Sequence, residues 1–290
     1  MKSAPDKNVK KILITGSTDG IGKLTAGILA RTGAEILIHG RDYEKVRKTV
    51  AEVSSETGNT AIEGLVSDLS SLDNVRRLAA TVIEKHDKID ILINNAGIGF
   101  GKPGSPRETS ADGFELRFAV NYLAPFLLTH LLLPALIAIP GGRVINIASI
   151  GQAPIDPDDL TVRSEYSGEL AYCRSKLALI MFTFELAERL GKTAGAPTVN
   201  CIHPGTLLRT KMVMESFGYS MGEPDEGADA VSHLAISEKV SGASGKYFDR
   251  KKEARAHEQA YDANVRKKLW NESEKFAGLI DSVVPVVTLF

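Results

Sequence analysis

The feature that most constrains the fold of this chain is a regular alternation of short apolar segments with longer helix-like segments. The apolar segments are rich in Ile, Val and Leu and show little polar alternation, which is typical of parallel strands buried on both faces. They occupy about residues 11–15, 34–40, 61–68, 89–97, 142–149, 197–205 and 245–248. Helical patterns lie between them, at about residues 21–32, 42–57, 71–86, 112–138, 169–191 and 224–237. This order predicts an α/β fold in which helices cover both faces of a doubly wound parallel sheet.

Composition limits the classes of protein to which this chain can belong. Of its 290 residues, 43% are hydrophobic and 24% are charged, as in soluble globular domains, and no Pro/Gly/Ser-rich linker divides the chain. The formal net charge of −1 gives no sign of bulk nucleic-acid binding. The two cysteines, Cys173 and Cys201, have no metal-ligand spacing, and neither do the histidines. We therefore expect one domain, no metal, no disulfide and a reducing, cytoplasmic location.

The most apolar region, residues 123–139, raises the question of a membrane span. It contains two prolines, a threonine and a histidine, and it is shorter than the roughly 20 apolar residues that a span needs. A buried or interface helix explains this region better, and we expect no transmembrane span. The polar and basic residues 1–11 are followed by a strand-like segment, so they do not have the pattern of a signal peptide.

A glycine-rich turn, TGSTDGIG, directly follows the first predicted strand. Glycine permits a tight turn and the close approach of another group, and the N-terminus of the next helix offers free N–H groups to a pyrophosphate. The spacing differs from the common G-x-G-x-x-G fingerprint of dinucleotide-binding folds, although the order of strand, turn and helix is the same. We therefore expect the phosphates of a dinucleotide to bind at this turn. The candidate residues are Gly16, Ser17, Thr18, Asp19, Gly20, Ile21 and Gly22.

The second predicted strand ends in HGRD, at the position where dinucleotide-binding folds distinguish NAD from NADP. A carboxylate near this position favours NAD because it bonds the ribose 2′-hydroxyl. Here Gly40 stands at the strand tip, and the guanidinium of Arg41, which follows, suits a 2′-phosphate. Asp42 and Asp19 argue the other way, because both are acidic and near the expected ribose. We expect a preference for NADP, with NAD as the alternative.

Two Tyr-x-x-x-Lys pairs occur in the chain, Tyr172–Lys176 and Tyr247–Lys251. Residues i and i+4 share one face of a helix, so Tyr172 and Lys176 project together from the helix predicted around them. An ammonium beside a phenol favours the phenolate and so suits the phenol to acid–base chemistry. The second pair lies where a strand ends, and no helix aligns it. We therefore expect only the first pair to be catalytic.

Four motifs at mutually consistent spacings resemble those of the short-chain dehydrogenase/reductase family. They are TGSTDGIG at Thr15, NNAG at Asn94, NIAS at Asn146 and YCRSK at Tyr172. The resemblance covers about residues 10–250, and residues 158–190 and 200–210 look most like the retinol-dehydrogenase-like branch. It implies a single domain with a seven-stranded, Rossmann-type parallel sheet and a dinucleotide across the carboxyl edge of that sheet. We divide the chain into a polar N-terminal extension (1–10), the catalytic domain (11–250) and a C-terminal helical tail (251–290).

The resemblance also implies roles for individual residues. Ser149, at a strand end, would hydrogen-bond the substrate oxygen where charge develops. Tyr172 would exchange the proton, and Lys176 would bond the nicotinamide ribose. Asn121 would hold a water that relays protons from Lys176. Because Pro125 lies four residues later and has no N–H, we expect a kink in the helix near Asn121.

Further implied contacts line the cofactor and join two copies of the chain. The cofactor contacts are Asp68 and Leu69 beside the adenine, the backbone of Asn95, Ala96 and Gly97, and Pro204, Gly205 and Thr206 at the nicotinamide end. The long helices at about residues 112–138 and 169–191 would pair in a homodimer or homotetramer. Residues 207–223, which contain three methionines and Phe217, form an apolar segment that we interpret as a substrate lid.

These features together predict an NADP(H)-preferring oxidoreductase that interconverts a carbonyl and an alcohol on a small hydrophobic substrate. The main alternative is a cofactor-binding regulatory protein of the same fold without turnover. The intact set of Asn121, Ser149, Tyr172 and Lys176 argues against that alternative. A nucleotide-binding methyltransferase would share the glycine-rich turn, but it would not need Tyr172 and Lys176 near the cofactor.

Overall fold

The core of the protein is a single eight-stranded sheet. The computed structural model describes residues 9–102, 104–164, 166–191 and 193–279. The strands are β1 (Lys11–Ile14), β2 (Glu35–Gly40), β3 (Ile62–Val66), β4 (Ile91–Asn94), β5 (Arg143–Ile147), β6 (Thr198–His203), β7 (Lys246–Asp249) and β8 (Lys252–Ala254). They lie in the order β3-β2-β1-β4-β5-β6-β7-β8, and β8 pairs antiparallel with β7 while the other neighbours pair in parallel. The seven predicted strands are confirmed. The sequence analysis missed β8 because its three residues, Lys-Glu-Ala, carry no apolar pattern.

Helices connect the strands and cover both faces of the sheet. They are α1 (Gly20–Ala30), α2 (Tyr43–Thr57), α3 (Leu72–Lys85), α4 (Leu116–Phe118), α5 (Ala124–Ile137), α6 (Gly168–Leu190), α7 (Lys211–Phe217), α8 (Pro224–Ile236) and α9 (Ala263–Phe276). The six predicted helices are present within a few residues of their expected bounds. The sequence analysis did not predict α7, which lies inside the segment interpreted as a lid.

Two hydrophobic cores separate the helices into layers, because alternate residues of each strand face opposite sides of the sheet. Ile12 and Ile14 of β1 pack with α1 and α8, whereas Leu13 faces the other core, which contains α3, α5, α6 and α9. Strand order reverses between β1 and β4, since β2 and β3 lie on one side of β1 and the later strands lie on the other. The helices that follow β1 and β4 lie on opposite faces of the sheet, and the carboxyl edge at this switch point is the usual ligand position in such sheets.

The most apolar helical segment runs through α4 and α5 as one unit, Leu116–Ile137. Its length and composition would allow a membrane span, but 83% of its apolar window is buried inside the protein. We therefore describe it as a core helix. The irregularity predicted near Pro125 takes the form of a π turn (Ala119–Leu123), in which the N–H of Ala124 donates to the carbonyl of Ala119.

The helix α9 covers the outer side of α5 and α6. Trp270 packs edge-on against Phe126 of α5, with ring centroids 5.2 Å apart, and also contacts Phe182 of α6. The hydroxyls of Tyr122 and Ser273 lie 2.6 Å apart in a hydrogen bond. The apolar composition of α5, which the sequence analysis assigned to a dimer interface, is thus explained by burial within one chain. The first eight residues of the predicted N-terminal extension, and residues 280–290 of the predicted tail, lie outside the described residues.

Candidate active site

The glycine-rich turn after β1 has the backbone geometry of a phosphate cradle. Gly16 and Gly20 have φ angles of +62° and +51°, in the left-handed region that favours glycine. A Cβ on Gly16 would lie 2.7 Å from the Cα of Ala96, so another side chain would displace the loop after β4. The carboxylate of Asp19 caps α1 by accepting from the N–H of Gly20 at 2.7 Å. Helix geometry leaves the N–H groups of Ile21 and Gly22 without an intrahelical acceptor, which fits a bound phosphate.

The hydroxyl of Ser17 is used inside the turn. It donates to the carbonyl of Ile14 at 2.7 Å and accepts from the N–H of His39 at 3.0 Å. Ser17 is also fully buried, so its side chain shapes the turn and does not point outward to a ligand. The predicted contact with the cofactor at this position is thereby limited to the backbone.

His39, in β2, links the glycine-rich turn to the end of β3. Its Nδ1 accepts from the N–H of Gly16 at 3.2 Å, so its Nε2 carries the proton and donates to the carbonyl of Ser67 at 3.1 Å. Burial lowers the pKa of His39 to about 4. The sequence analysis did not single out this residue, because one histidine in a buried strand gives no distinctive signal.

We expect His39 to make the protein sensitive to acid. Because its folded-state pKa is depressed from 6.5 to about 4, the stability that neutral His39 contributes is present above pH 6.5 and lost as the pH falls through about 4. The full effect is on the order of 3 kcal/mol. The free energy of unfolding in urea should therefore fall less between neutral and acid pH in His39→Gln than in the wild type. Equal falls in the two proteins would contradict this role. Burial also lowers the pKa of His130 to about 4, so the variant should keep part of the acid sensitivity.

The end of β2 presents Arg41 to solvent beside the glycine-rich turn. Arg41 is exposed, whereas Asp42 caps α2 by accepting from the N–H of Lys45 at 2.9 Å. The two acidic residues that argued for NAD, Asp19 and Asp42, are therefore both engaged in capping helices. Gly40 must stay small here, because a Cβ would lie 2.6 Å from the Cγ2 of Thr18.

The loop after β4 is bonded directly to the glycine-rich turn. The hydroxyl oxygen of Thr15 accepts from the N–H groups of Asn95 and Ala96 at 3.0 Å, and the amide of Asn95 donates to the carbonyls of Thr15 and Gly16 at 2.9 Å. A Cβ on Gly97 would lie 3.5 Å from the Nζ of Lys176. The predicted residues Asn95, Ala96 and Gly97 thus lie between the glycine-rich turn and Lys176. Asp68 and Leu69 follow β3; Asp68 is exposed and Leu69 is buried.

The predicted catalytic residues converge at the carboxyl ends of β4 and β5. Tyr172 and Lys176 lie on α6, and the Nζ of Lys176 is 5.7 Å from the centroid of the Tyr172 ring. The hydroxyl of Ser149, two residues after β5, lies beside the phenol of Tyr172, close enough to lower the pKa of that phenol. The hydroxyl oxygen of Ser149 accepts from the N–H of Gly151 at 3.0 Å.

Asn121 lies inside the π turn and is fully buried. Its Oδ1 accepts from the N–H of Ile98 at 2.8 Å, and its Nδ2 donates to the carbonyl of Ile98 at 3.1 Å and to the hydroxyl of Ser175 at 3.0 Å. Its side chain therefore joins the segment after β4 to the catalytic helix α6. π turns occur frequently at functional sites.

Burial shifts the pKa values of both Tyr172 and Lys176. The pKa of Tyr172 is raised above its usual value, because burial opposes the phenolate more than the hydrogen bond from Ser149 favours it. Burial also lowers the pKa of Lys176 to about 8, and its Nζ donates to the carbonyl of Ile147 at 2.7 Å. The sequence analysis expected the ammonium to favour the phenolate. In the structure the neutral phenol is favoured instead. Lys176 is held against the end of β5, and both groups are largely removed from water.

His203, at the end of β6, connects two loops of the site. Its Nδ1 accepts from the N–H of Ile150 at 3.2 Å, and its Nε2 is 3.0 Å from the hydroxyl of Thr206. This position links the turn that carries Ser149 to the predicted Pro204, Gly205 and Thr206. The residue is buried, so its ring packs at this strand end while it joins the two loops.

The segment interpreted as a lid closes over these loops. Met212 of α7 packs against Gly99, where a Cβ would lie 2.7 Å from the Cγ of Met212. Phe217 of α7 contacts Phe100, with ring centroids 5.1 Å apart, and Phe100 in turn contacts Tyr172 at 4.8 Å. The apolar residues of α7 therefore reach the catalytic tyrosine through Phe100, which the sequence analysis missed because it follows the NNAG motif in an irregular loop.

Other residues with possible chemical roles are the second Tyr-x-x-x-Lys pair, Cys173 and any metal ligands. The second pair is separated, because Tyr247 is buried in β7, where its hydroxyl donates to the carbonyl of Ser149 at 3.2 Å, while Lys251 forms an ion pair with Asp229. Cys173 is half-buried beside Gly151, and burial raises the pKa of its thiol to about 11. Among the described residues, no group of His, Cys, Asp and Glu could hold a metal ion.

A phosphate cradle at the switch point of a parallel sheet, next to a Tyr–Lys–Ser–Asn cluster, defines an NAD(P)-dependent oxidoreductase that acts on alcohol and carbonyl groups. The chain belongs to the short chain dehydrogenase family, whose sequence profile matches residues 10–218. It is 38% identical to human retinol dehydrogenase 13 over 93% of this chain and 85% of that protein. An uncharacterized protein of Mycobacterium paratuberculosis, solved by crystallography, is 30% identical, with a TM-score of 0.76 over 93% of each chain. A short-chain dehydrogenase of Shigella flexneri in complex with NADP is 27% identical, with a TM-score of 0.67 over 84% of this chain and 97% of that one. These similarities agree with the retinol-dehydrogenase-like branch expected from the motifs.

Proposed function

We propose that this protein is an NADP(H)-preferring oxidoreductase that interconverts an aldehyde or ketone and the corresponding alcohol on a small hydrophobic substrate. The observation that carries the proposal is the convergence of Ser149, Tyr172, Lys176 and Asn121 on one point beside the glycine-rich turn. A nicotinamide bound across the carboxyl edge supplies or accepts the hydride. The residues of this chain do the remaining work, which is to bind, orient and move a proton.

Tyr172 is proposed to exchange the proton with the substrate oxygen. Ser149 lies beside the phenol and is placed to donate to the substrate oxygen where negative charge develops. A neutral phenol, which the raised pKa favours, is the form that gives a proton to a carbonyl during reduction. Lys176 lies close enough to Gly97 and Asn121 to bond a ribose and to pass protons toward Asn121.

The proposed substrate is hydrophobic because the groups that face Tyr172 are apolar. Phe100 lies edge-on to the Tyr172 ring, and Phe217 and Met212 of α7 close the same side. Human retinol dehydrogenase 13, named for an apolar alcohol, is among the relatives of this chain. We therefore propose an apolar aldehyde, ketone or alcohol, of which a retinoid is one candidate.

The preference for NADP is proposed from Arg41. Its exposed guanidinium stands beside the glycine-rich turn, and the nearest carboxylates, Asp19 and Asp42, accept hydrogen bonds at helix N-termini. A 2′-phosphate here would meet a positive charge that can bond it bidentately. The dehydrogenase of Shigella flexneri, solved with NADP, supports the same choice.

Replacing Arg41 with Asp should reverse the charge that a 2′-phosphate would meet. We expect the Kd for NADPH to rise about tenfold or more, because hydrogen bonds to charged groups are worth about 1.5–3 kcal/mol. The Kd for NADH, which has no 2′-phosphate, should change far less. Fluorescence titration measures both constants. Arg47→Asp is the matched control, because Arg47 also lies near the start of α2 but is paired with Glu44 at 2.8 Å. Equal losses of NADPH and NADH affinity in Arg41→Asp would contradict the proposed preference.

The proposed activity is tested by binding followed by turnover. Titration with NADPH and NADH gives the affinities, and a panel of apolar aldehydes and ketones is then followed at the nicotinamide absorbance band. NADPH binding with consumption on a panel member supports the proposal. A protein that binds neither cofactor would refute it.

A cytoplasmic location and a homodimer or homotetramer are part of the same proposal. Because α9 covers the aromatic face of α5 and α6, pairing would use another surface of these helices or of the sheet edge. Light scattering of the purified protein measures the assembly directly.

A further inference from the structure

Arg117, on α4, is a buried charge outside the predicted catalytic set. Its side chain is 2% exposed, and that of its ion-pair partner Glu115 is 0% exposed, with 2.9 Å between Nη1 and Oε1. Burying such a pair is costly unless its remaining hydrogen-bonding capacity is used. The other partners of Arg117 therefore indicate what the pair holds in place.

Those partners lie in the segment after β4 and at the approach to α6. The Nε of Arg117 donates to the carbonyl of Gly99 at 2.9 Å, and its Nη2 donates to the carbonyl of Phe100 at 2.8 Å. Its Nη1 also donates to the hydroxyl of Tyr166 at 3.0 Å. Only a planar guanidinium offers donors in such a fixed fork, so lysine could not make these bonds together.

Two neighbouring features show that this arrangement is closely fitted. Gly101 has a φ of +77°, and a Cβ on it would lie 2.6 Å from the Nη2 of Arg117. Asn121, four residues after Arg117, bonds both backbone groups of Ile98. One helical segment thus holds three consecutive residues, 98–100, by their backbone.

The segment that is held carries the ring of Phe100. This ring contacts Tyr172 with centroids 4.8 Å apart and an interplanar angle of 67°, and it contacts Phe217 of α7 at 5.1 Å. The carbonyl of Phe100 lies directly against Gly168, the first residue of α6, where a Cβ would overlap it. Any shift of the Phe100 backbone would therefore move the apolar wall beside Tyr172 or collide with the catalytic helix.

We propose that Arg117 is a positioning residue that fixes Phe100 as the apolar wall between Tyr172 and α7, and that this wall helps to determine which substrate can approach the phenol. The inference rests on the proposed function of Tyr172. It extends that function by giving a role to a guanidinium that touches none of the reacting atoms.

The first test compares Arg117→Lys with Arg266→Lys. Lysine keeps the charge at 117 but loses the fork, so amide hydrogen exchange of residues 98–101 should rise, and kcat/KM for a panel substrate should fall about tenfold or more. The Kd for NADPH should stay near that of the wild type. Arg266 is a similarly buried guanidinium, 2.6 Å from Glu188 and 3.3 Å from Glu185, that does not contact this segment. Arg266→Lys should therefore leave both readouts near their wild-type values, even if the protein is less stable.

The second test is a double-mutant cycle with Phe100→Leu. If Arg117 acts through Phe100, Arg117→Lys should cause little further loss of kcat/KM once the aromatic wall is gone. Additive losses of kcat/KM in the double variant would overturn the inference. So would a kcat/KM and an amide exchange of residues 98–101 that stay at wild-type values in Arg117→Lys. Tyr166→Phe removes one partner of Arg117 and should give a smaller effect in the same direction; it replaces Arg117→Lys if that variant does not fold.

The two proposals fail in different ways. A wild-type protein that binds NADPH but turns over no panel member would count against the proposed function. The exchange measurement would still decide the role of Arg117, because unchanged protection of residues 98–101 in Arg117→Lys would overturn the positioning role whether or not turnover is seen.

Discussion

Tyr172→Phe is expected to lower kcat about 10²–10⁴-fold, because the variant lacks the phenol that is proposed to exchange a proton with the substrate oxygen. The phenol lies beside Ser149, the Nζ of Lys176 is 5.7 Å from the centroid of its ring, and phenylalanine keeps the ring that packs against Phe100. The Kd for NADPH should therefore stay close to the wild-type value. Steady-state kinetics on a panel substrate and fluorescence titration measure the two quantities separately.

Tyr261→Phe is the matched control for this variant. Tyr261 is 43% exposed and lies in a short 3-10 helix before α9, where its hydroxyl accepts from the N–H of Ala256. Its loss should leave kcat within about twofold of the wild type, since surface substitutions away from special features have small effects. Wild-type turnover in Tyr172→Phe would remove the tyrosine from the proposed acid–base role.

Trp270→Ala should lower the free energy of unfolding by about 3–5 kcal/mol, which is the usual cost of removing a large aromatic side chain from a core. Trp270 is 1% exposed and packs against Phe126, His130 and Phe182. Its ring also stacks under the guanidinium of Arg189, 4.1 Å from the ring centroid. The substitution would therefore leave a cavity between α5, α6 and α9 and would remove a cation–π contact.

Urea denaturation of the purified protein measures this loss. The control is Met221→Ala, because Met221 is 72% exposed and its removal should change stability by no more than about 0.5 kcal/mol. Similar losses of unfolding free energy in Trp270→Ala and Met221→Ala would mean that α9 is not part of the cooperative core. A lower free energy of unfolding in Trp270→Ala, with an unchanged Kd for NADPH, would show that Trp270 supports stability and not the cofactor site.

The sequence predicted the regular part of the fold well, because buried parallel strands and the helices that cover them leave strong periodic patterns. It missed β8 because three charged and small residues at a sheet edge carry no such pattern, and their pairing is decided by β7. It also missed α7, since a seven-residue helix is too short to show a full amphipathic repeat. That α9 covers α5 and α6 could not be foreseen from apolar composition, which does not say what covers a helix.

At the site, residues within motifs were easier to predict than the residues that support them. Helix periodicity alone predicts that Tyr172 and Lys176 share one face of α6, whereas the role of Asn121 was predicted from the resemblance of the motifs to a known family. His39, Phe100 and Arg117 have no local signal, because the groups that they contact at the site lie 17 or more residues away in the chain; Glu115, the ion-pair partner of Arg117, is close in sequence but does not reveal what the pair holds. The charges of Tyr172 and Lys176 also depended on burial, which only the packed structure reveals.

The position of α9 has a consequence for synthesis on the ribosome. Among the described helices it is the last to be made, and the strands of the sheet, α5 and α6 all precede it in the chain. Until Trp270 emerges, the rings of Phe126 and Phe182 have no covering helix. All eight described strands therefore precede α9 in synthesis, and until α9 is made the aromatic face of α5 and α6 is exposed to water. Such transient exposure is what chaperones recognise, so translation of the segment that forms α9 should mark the point at which the chain stops needing them.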